Sequence, residues 1–278
     1  MKILLTGGTG FIGSAVLKRL VVEGHSITAI VRSSQSARKV EHAGAVSVVG
    51  DLFDRDWLGA ELRQHDAAIH TAAGSDGRDA DLNDAVIDAA INAFSGTDKP
   101  FILTGGIWTY GSNPAITETS PLNAPSLTAW RVEGEQRLLS SDVHAVVVQP
   151  GIVYGYGAGI PAMLLSSGVL PGSGEQHWTT VHVDDLADLY VRALSAPAGQ
   201  TFIGATGDNP TVSELGAAVG GPLAPEGDDA TLARLGGFGE ALLLDQQASG
   251  AKARAELGWA PTRPTLVEEL QAGYTPQV

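Results

Sequence analysis

The segment Thr6-Gly7-Gly8-Thr9-Gly10-Phe11-Ile12-Gly13 constrains this chain more than any other. It lies between a short apolar run, residues 3–5, and a stretch over residues 11–22 in which Ile12, Ala15, Val16, Arg19 and Leu20 recur at helical spacing. The reading is a buried strand, a glycine turn and a helix, with Gly24 as the C-terminal stop. Gly7 permits the tight turn, Gly10 lets a pyrophosphate approach the backbone, and Gly13 lets the helix pack closely on the strand. The helix N-terminus then offers free N–H groups to an anion. A glycine string alone is weak; one placed after a strand and before an amphipathic helix is specific.

Strands and helices alternate through the first half. Strands are expected over residues 27–31, 45–49, 67–70, 101–104 and 145–148, and helices over 81–94 and 126–140. This order predicts an α/β fold, a Rossmann-type doubly wound parallel sheet with helices on both faces. Glycine and proline become dense over residues 151–174, a helix resumes over 183–194, and a late strand is expected at 201–203. The expected organisation is a nucleotide-binding domain, 1–150, to which 181–205 returns, and a smaller C-terminal substrate lobe built from 151–180 and 206–278.

Composition excludes several functions. Seventeen Lys and Arg face 31 Asp and Glu, a net charge of −14. Such a chain is a poor binder of polyanions, so nucleic acid and anionic membranes are not expected partners. No stretch of 18 apolar residues occurs, and the N-terminal apolar run is too short for a signal peptide. Cysteine is absent, which removes disulfides and thiolate chemistry and fits the cytoplasm. Asp184 and Asp185 are adjacent carboxylates without a third spaced ligand, so helix capping is expected there and no metal.

TGGTGFIG resembles the signature of the extended and atypical short-chain dehydrogenase/reductase superfamily. Four further segments carry the resemblance across nearly the whole chain: Gly50-Asp51-Leu52, Pro150-Gly151-Ile152-Val153-Tyr154-Gly155, Val181-His182-Val183-Asp184-Asp185-Leu186-Ala187 and Leu257-Gly258-Trp259-Ala260-Pro261. It implies a nicotinamide cofactor held by Gly7, Thr9, Gly10, Phe11, Ile12 and Gly13, by Asp51 and Leu52 at the adenine, by Ala72 and Ala73 after the fourth strand, and by Pro150 and Val153 beside the nicotinamide.

Residue chemistry selects the form of the cofactor. The second strand ends Val31-Arg32-Ser33, where an NAD site places a carboxylate for the ribose 2′-hydroxyl. Arg32 instead presents a fixed planar charge suited to a 2′-phosphate, with Ser33, Arg38 and Lys39 as further donors, so NADP (NADPH) is expected. The alternative is a solvated arginine at a strand end.

The catalytic pattern departs from the family. Relatives carry a Ser or Thr and a Tyr-x-x-x-Lys helix. Here the hydroxyl position holds Gly106, the tyrosine position Leu127 and the lysine position Arg131. Arg131 stays charged at any working pH, so it can bond ribose hydroxyls and face a developing alkoxide but not shuttle protons. An ion pair with Glu135 is its structural alternative. Tyr110, Tyr154 and Thr104 are the remaining catalytic candidates, each with a packing alternative; His182 reads as a core histidine, and Asp81 and Asp84 as helix-surface charges.

The leading expectation is an NADPH-dependent oxidoreductase acting on a small, largely apolar carbonyl or imine-like substrate. A non-catalytic NADP-sensing module and an epimerase or dehydratase are the alternatives. Residues 151–205 hold only Arg192 as a cation, which counts against a sugar nucleotide. A homodimer through the helices at 81–94 and 126–140 is a further expectation.

Overall fold

A computed structural model describes residues 1–74, 77–220 and 223–275; of the expected substrate lobe, 221–222 and 276–278 lie outside the described residues. The first part of the chain runs β1 (Lys2–Thr6), α1 (Phe11–Val22), β2 (Ser26–Val31), α2 (Ser34–His42), β3 (Val46–Val49), α3 (Arg55–Arg63), β4 (Ala67–His70), α4 (Asp79–Phe94) and β5 (Pro100–Thr104). After a 3-10 turn at Ile107–Tyr110 come β6 (Asn113–Ile116), α5 (Ala129–Leu139), β7 (His144–Pro150), β8 (Ile152–Gly155), β9 (Ala158–Gly159), α6 (Ile160–Ser167) and β10 (Val169–Leu170). The remainder is β11 (Thr180–His182), α7 (Val183–Ala193), β12 (Gln200–Gly204), α8 (Val212–Ala218), β13 (Ala224–Pro225), α9 (Asp228–Leu235), α10 (Gly237–Leu242), β14 (Gln246–Ala248), α11 (Ala251–Leu257) and α12 (Leu266–Gln271).

The main sheet has seven strands in the order β12-β7-β5-β4-β1-β2-β3. Neighbouring pairs are parallel, with Leu5 opposite Ala29 and Ile69, and Ile102 opposite Val146. This is the Rossmann-like α/β fold that the alternation of strands and helices predicts. The central strands are buried on both faces, which is why they read as unbroken apolar runs. One face carries Leu4, Ala68, Leu103 and Val147 into a core with Leu58 and Leu62 of α3, Val86 and Ala90 of α4 and Leu138 of α5. The alternate positions Ile3, Leu5 and Ile69 are equally buried, as the two-residue period of a strand requires. The alanine stripe of α4 (Ala85, Ala89, Ala90) lies within this core.

The chain divides into two compact units. Unit 1 comprises residues 1–105, 133–148 and 186–202; unit 2 comprises 106–132, 149–185 and 203–278. Unit 2 has its own core around Trp178, Tyr154, Leu215 and Leu270. Among the described residues no helix is long and apolar enough to cross a membrane.

Among the elements that differ from the sequence expectation are three helices. Helix α2 escapes periodicity because only Val40 of its nine residues is buried. Helix α3 carries legible signals: Asp54 caps it by accepting from Trp57 N at 3.0 Å, and Leu58 and Leu62 share its buried face. Helix α5 begins at Ala129, three residues later than expected, because Thr128 N and Ala129 N both donate to Pro125 O and close a turn first. Leu127 therefore lies in that turn, not on a helical face shared with Arg131.

The C-terminal signature is fastened by one buried carboxylate in unit 2. Asp185, 6% exposed, accepts from Thr262 N at 2.9 Å and from Arg263 N at 3.0 Å, and its carbonyl accepts from Trp259 Nε1 at 2.8 Å. Hydrogen bonds to a charged group contribute about 1.5–3 kcal/mol each. Asp185→Ala is expected to destabilise the protein by about 2–4 kcal/mol in urea unfolding, with Asp185→Asn in between, because the amide keeps one acceptor.

Candidate functional site

The glycine turn after β1 is built by close backbone approaches. Gly7 takes φ +75°, and a Cβ there would lie 2.6 Å from Ala72 N. Gly10 N donates to Gly7 O at 2.9 Å, closing the turn. A Cβ at Gly13 would lie 2.1 Å from Gly7 O and 2.6 Å from Thr71 Oγ1. Gly13 is thus fixed by internal packing. Gly10 is different: it is exposed, its φ of −81° suits any residue, and an added Cβ would meet only Gly7 O, at 3.3 Å. No side chain caps α1, and no acidic residue stands in its first turn. The N–H groups of Phe11, Ile12 and Gly13 therefore face outward behind a residue without a side chain. That is the donor set and the clearance a diphosphate needs, so the turn fits a dinucleotide.

The remaining unit 1 residues cluster at the same end of the sheet. Arg32 is exposed directly after β2. Ser33 serves as the N-cap of α2, accepting from Ser36 N at 3.2 Å and donating to Ser36 Oγ; Arg38 and Lys39 are exposed on that helix. Asp51 is exposed and accepts from Phe53 N at 3.0 Å, while Leu52 packs on the core. Gly50 is obligatory, since a Cβ would lie 1.9 Å from the Trp57 ring. Ala72 is half-buried, and Ala73 and Thr9 are exposed.

Thr104, at the end of β5, has its hydroxyl committed. It donates to His70 O at 2.6 Å and lies 2.6 Å from Tyr190 Oη. His70, buried at the end of β4, has Nδ1 2.7 Å from Thr6 Oγ1. Two side-chain pairs, Thr6 with His70 and Thr104 with Tyr190, are thus joined through the His70 carbonyl at the carboxyl edge of the sheet.

Unit 2 holds the other candidates. Tyr110 is 3% exposed and donates to Gln149 Oε1 at 2.6 Å. Tyr154 is fully buried and donates to Pro264 O at 2.7 Å. Burial, reinforced by Glu269, pushes the Tyr154 phenol well above its ordinary value. Pro150 ends β7, and Val153 lies in β8 opposite Val181 of β11. A Cβ at Gly151 would lie 2.6 Å from Thr179 O. Arg131 stacks over the Trp130 ring at 4.4 Å, and Leu127 is exposed. Gly106 is extended, with nothing within 4 Å of an added Cβ. The place of the family hydroxyl is open space.

His182 is buried, accepts from Asp184 N at 3.1 Å, and has Nε2 3.2 Å from Glu269 Oε1. Burial holds its pKa below the ordinary range, so it is a neutral, satisfied core histidine. Asp84 pairs with Arg137 at 2.9 Å on the helix surface. No group of three His, Asp or Glu able to hold a metal occurs among the described residues. Sequence reading missed Gln149, whose signal is a polar residue closing the apolar run Ala145–Val148, and Tyr190, which sequence alone does not distinguish from a core tyrosine.

The fold and the turn agree with known proteins. A family model described as NAD(P)H-binding matches residues 7–197. An uncharacterised protein of Schizosaccharomyces pombe is 31% identical over 97% of this chain and 98% of its own length. A UDP-glucose 4-epimerase of Mycolicibacterium smegmatis is 28% identical, covering 94% of each chain. The crystal structure of human epimerase family protein SDR39U1 with NADPH superimposes with a TM-score of 0.76 at 23% identity, over 98% of each chain. With a glycine turn built for a diphosphate at the head of a seven-stranded Rossmann sheet, this chain belongs to the NAD(P)H-binding family, in the atypical, epimerase-like part of the short-chain dehydrogenase/reductase superfamily.

Proposed function

We propose that the protein is an NADP(H)-dependent oxidoreductase that reduces a small, largely apolar carbonyl or imine-like compound without a Tyr-x-x-x-Lys pair. The observation that carries this reading is the uncapped N-terminus of α1 behind Gly10, with Arg32 rather than a carboxylate at the end of β2. The human structural relative described with NADPH supports the choice of cofactor. The cofactor, when bound, supplies the hydride.

The chain's own residues have separate tasks in this reading. Phe11, Ile12 and Gly13 hold the diphosphate through their N–H groups. Arg32 holds the 2′-phosphate, with Arg38 and Lys39 adding positive charge. Asp51 and Leu52 hold the adenine, Thr9, Ala72 and Ala73 line the adenosine side, and Pro150 and Val153 support the nicotinamide. Arg131 bonds the ribose and stabilises the alkoxide as it forms. Tyr110, Tyr154 and Thr104 already spend their hydroxyls on protein partners, so they position these elements and water delivers the proton.

That same commitment of hydroxyls favours the second reading, a non-catalytic NADP-sensing module. NADPH consumption against a panel of ketones, aldehydes and imines separates the two; no consumption with any of them supports the sensor. Assembly through α4 and α5 and a cytoplasmic location complete the proposal. With the alanine stripe of α4 buried, the pairing surface would be the Asp84, Asp88 and Arg137 face, and light scattering at micromolar concentration would report a dimer mass.

Three outcomes test the cofactor assignment. NADPH should bind about 10- to 100-fold more tightly than NADH, the equivalent of one charge-assisted contact, and Arg32→Ala should remove that preference without weakening NADH. Gly10→Val should unfold at the wild-type midpoint yet lose NADPH binding by more than about tenfold, whereas Gly13→Val should lose both binding and about 1–3 kcal/mol of stability. Arg131→Ala should weaken NADPH binding and abolish most turnover. Arg131→Lys should recover part of the binding, because the charge returns without the planar fork. Titrations followed by cofactor fluorescence, with thermal melts alongside, check all three.

A further inference from the structure

Unit 2 contains a cleft between α6, α9 and α10 that the cofactor assignment does not use. Ile160, Met163, Pro171, Leu235, Phe238 and Leu242 line it; it is shallow and open, with a volume of about 30 Å³. The polar members of the lining are Ser167 and Arg234. Ser167 Oγ donates to Val169 O at 2.9 Å. Arg234 grips Glu226 bidentately, Nε to Oε2 at 3.0 Å and Nη2 to Oε1 at 2.5 Å. A guanidinium neutralised in this way offers no net charge to a ligand.

The rest of unit 2 agrees. It holds five Lys and Arg residues against fourteen Asp and Glu. Arg263 is paired with Asp184 at 2.8 Å, Arg254 donates to the carbonyls of Ser249 and Thr206, and Lys252 is held by a neighbour as well, while Arg131 is assigned to the cofactor. A nucleoside diphosphate needs uncommitted cations, and an excess of carboxylates repels it.

Helix α10 joins the cleft to the altered catalytic positions. Phe238 packs edge-to-face on Trp108 with centroids 5.9 Å apart, and Trp108 follows Gly106 by two residues. A Cβ at Gly237 would lie 3.9 Å from Leu127 Cβ. Ser126 Oγ donates to Glu240 Oε2 at 2.7 Å, pinning this turn to α10. Leu127 and Met163 stand 41% and 49% exposed. Helix α10 thus carries one cleft residue, Phe238, onto Trp108, and brings Gly237 within contact distance of Leu127.

We propose that this cleft is the subsite for an uncharged alkyl or alicyclic portion of the substrate, and that unit 2 does not accept a nucleoside diphosphate sugar. The assignment of the occupant as substrate rests on the reductase reading; the apolar cleft and its preference for neutral ligands do not. Met163, flexible and polarisable, forms its adaptable wall. Each methylene that enters should raise affinity about fourfold.

The test uses the full-length protein, with and without NADPH, and the neutral fluorophore N-phenyl-1-naphthylamine. The fluorophore should bind and be displaced by 2-butanone, 2-hexanone and 2-octanone with affinity rising along the series, while UDP-glucose leaves it in place. Met163→Asp, a change at an exposed position, should weaken the fluorophore more than about tenfold with NADPH affinity and melting midpoint unchanged, and Met163→Leu should retain it. Wild-type fluorophore affinity in Met163→Asp, or displacement by UDP-glucose, overturns the proposal. Ketone displacement without NADPH consumption supports the cleft and counts against the reductase reading. Consumption that Met163→Asp leaves untouched, with unaltered fluorophore binding, overturns the cleft and leaves the reductase reading in place.

Discussion

The backbone of α1 approaches the turn after β1 more closely than any side chain would permit. With a Cβ at Gly13 the carbonyl of Gly7 would be only 2.1 Å away, so one hydrogen atom at residue 13 decides whether the helix can start where it does. Because it starts there, its first N–H groups project past Gly10 from the end of the central strand β1, flanked by β2 and β4. The room for an anion at this turn is therefore a consequence of helix–strand packing. The helix dipole supplies the field, and missing side chains supply the access. Gly10 and Gly13 contrast: a Cβ at Gly13 would meet Gly7 O at 2.1 Å, one at Gly10 only at 3.3 Å.

The carboxyl ends of the strands show a different economy. Thr6 pairs with His70 and Thr104 with Tyr190 in unit 1, and Tyr110 with Gln149 and Tyr154 with Pro264 in unit 2. A buried hydroxyl left without a partner costs about 1–3 kcal/mol, so such groups pair inside the protein when no ligand is obliged to pair them. Where relatives place a hydroxyl and an acid, this chain has the open space of Gly106 and the exposed Leu127. Chemistry at such a site would depend on orientation and on the fixed charge of Arg131, not on a protonic side chain.

Acidic residues fasten unit 2 alongside its apolar core. The carboxylate of Asp185 collects two backbone N–H groups of the C-terminal signature, and Asp184 and Glu226 each hold an arginine. The negative excess visible in the composition is thus partly structural, since in unit 2 it engages Arg234 and Arg263.

The sequence by itself determined the main parallel strands, helix α1 and the glycine turn. Strand β4 and helix α1 fall at the expected residues, and the Gly7, Gly10 and Gly13 spacing has one economical backbone solution, because local sterics, hydrophobic period and turn chemistry all act over a few residues. It also determined what is absent: no carboxylate at the end of β2, no tyrosine or lysine at the positions of Leu127 and Arg131. Tertiary structure alone decided where each hydroxyl spends its proton. Nothing near Tyr154 in sequence announces Pro264, 110 residues away, and Tyr110 finds Gln149 only through the sheet order. It decided likewise that Arg234 is neutralised by Glu226 and that α10 lies against Leu127. The start of α5 belongs with these, since a turn around Pro125 displaced the helix that periodicity alone extends to Ser126. Periodicity reports which face of an element is buried; partners across the fold depend on packing, which pairwise spacing along the chain does not encode.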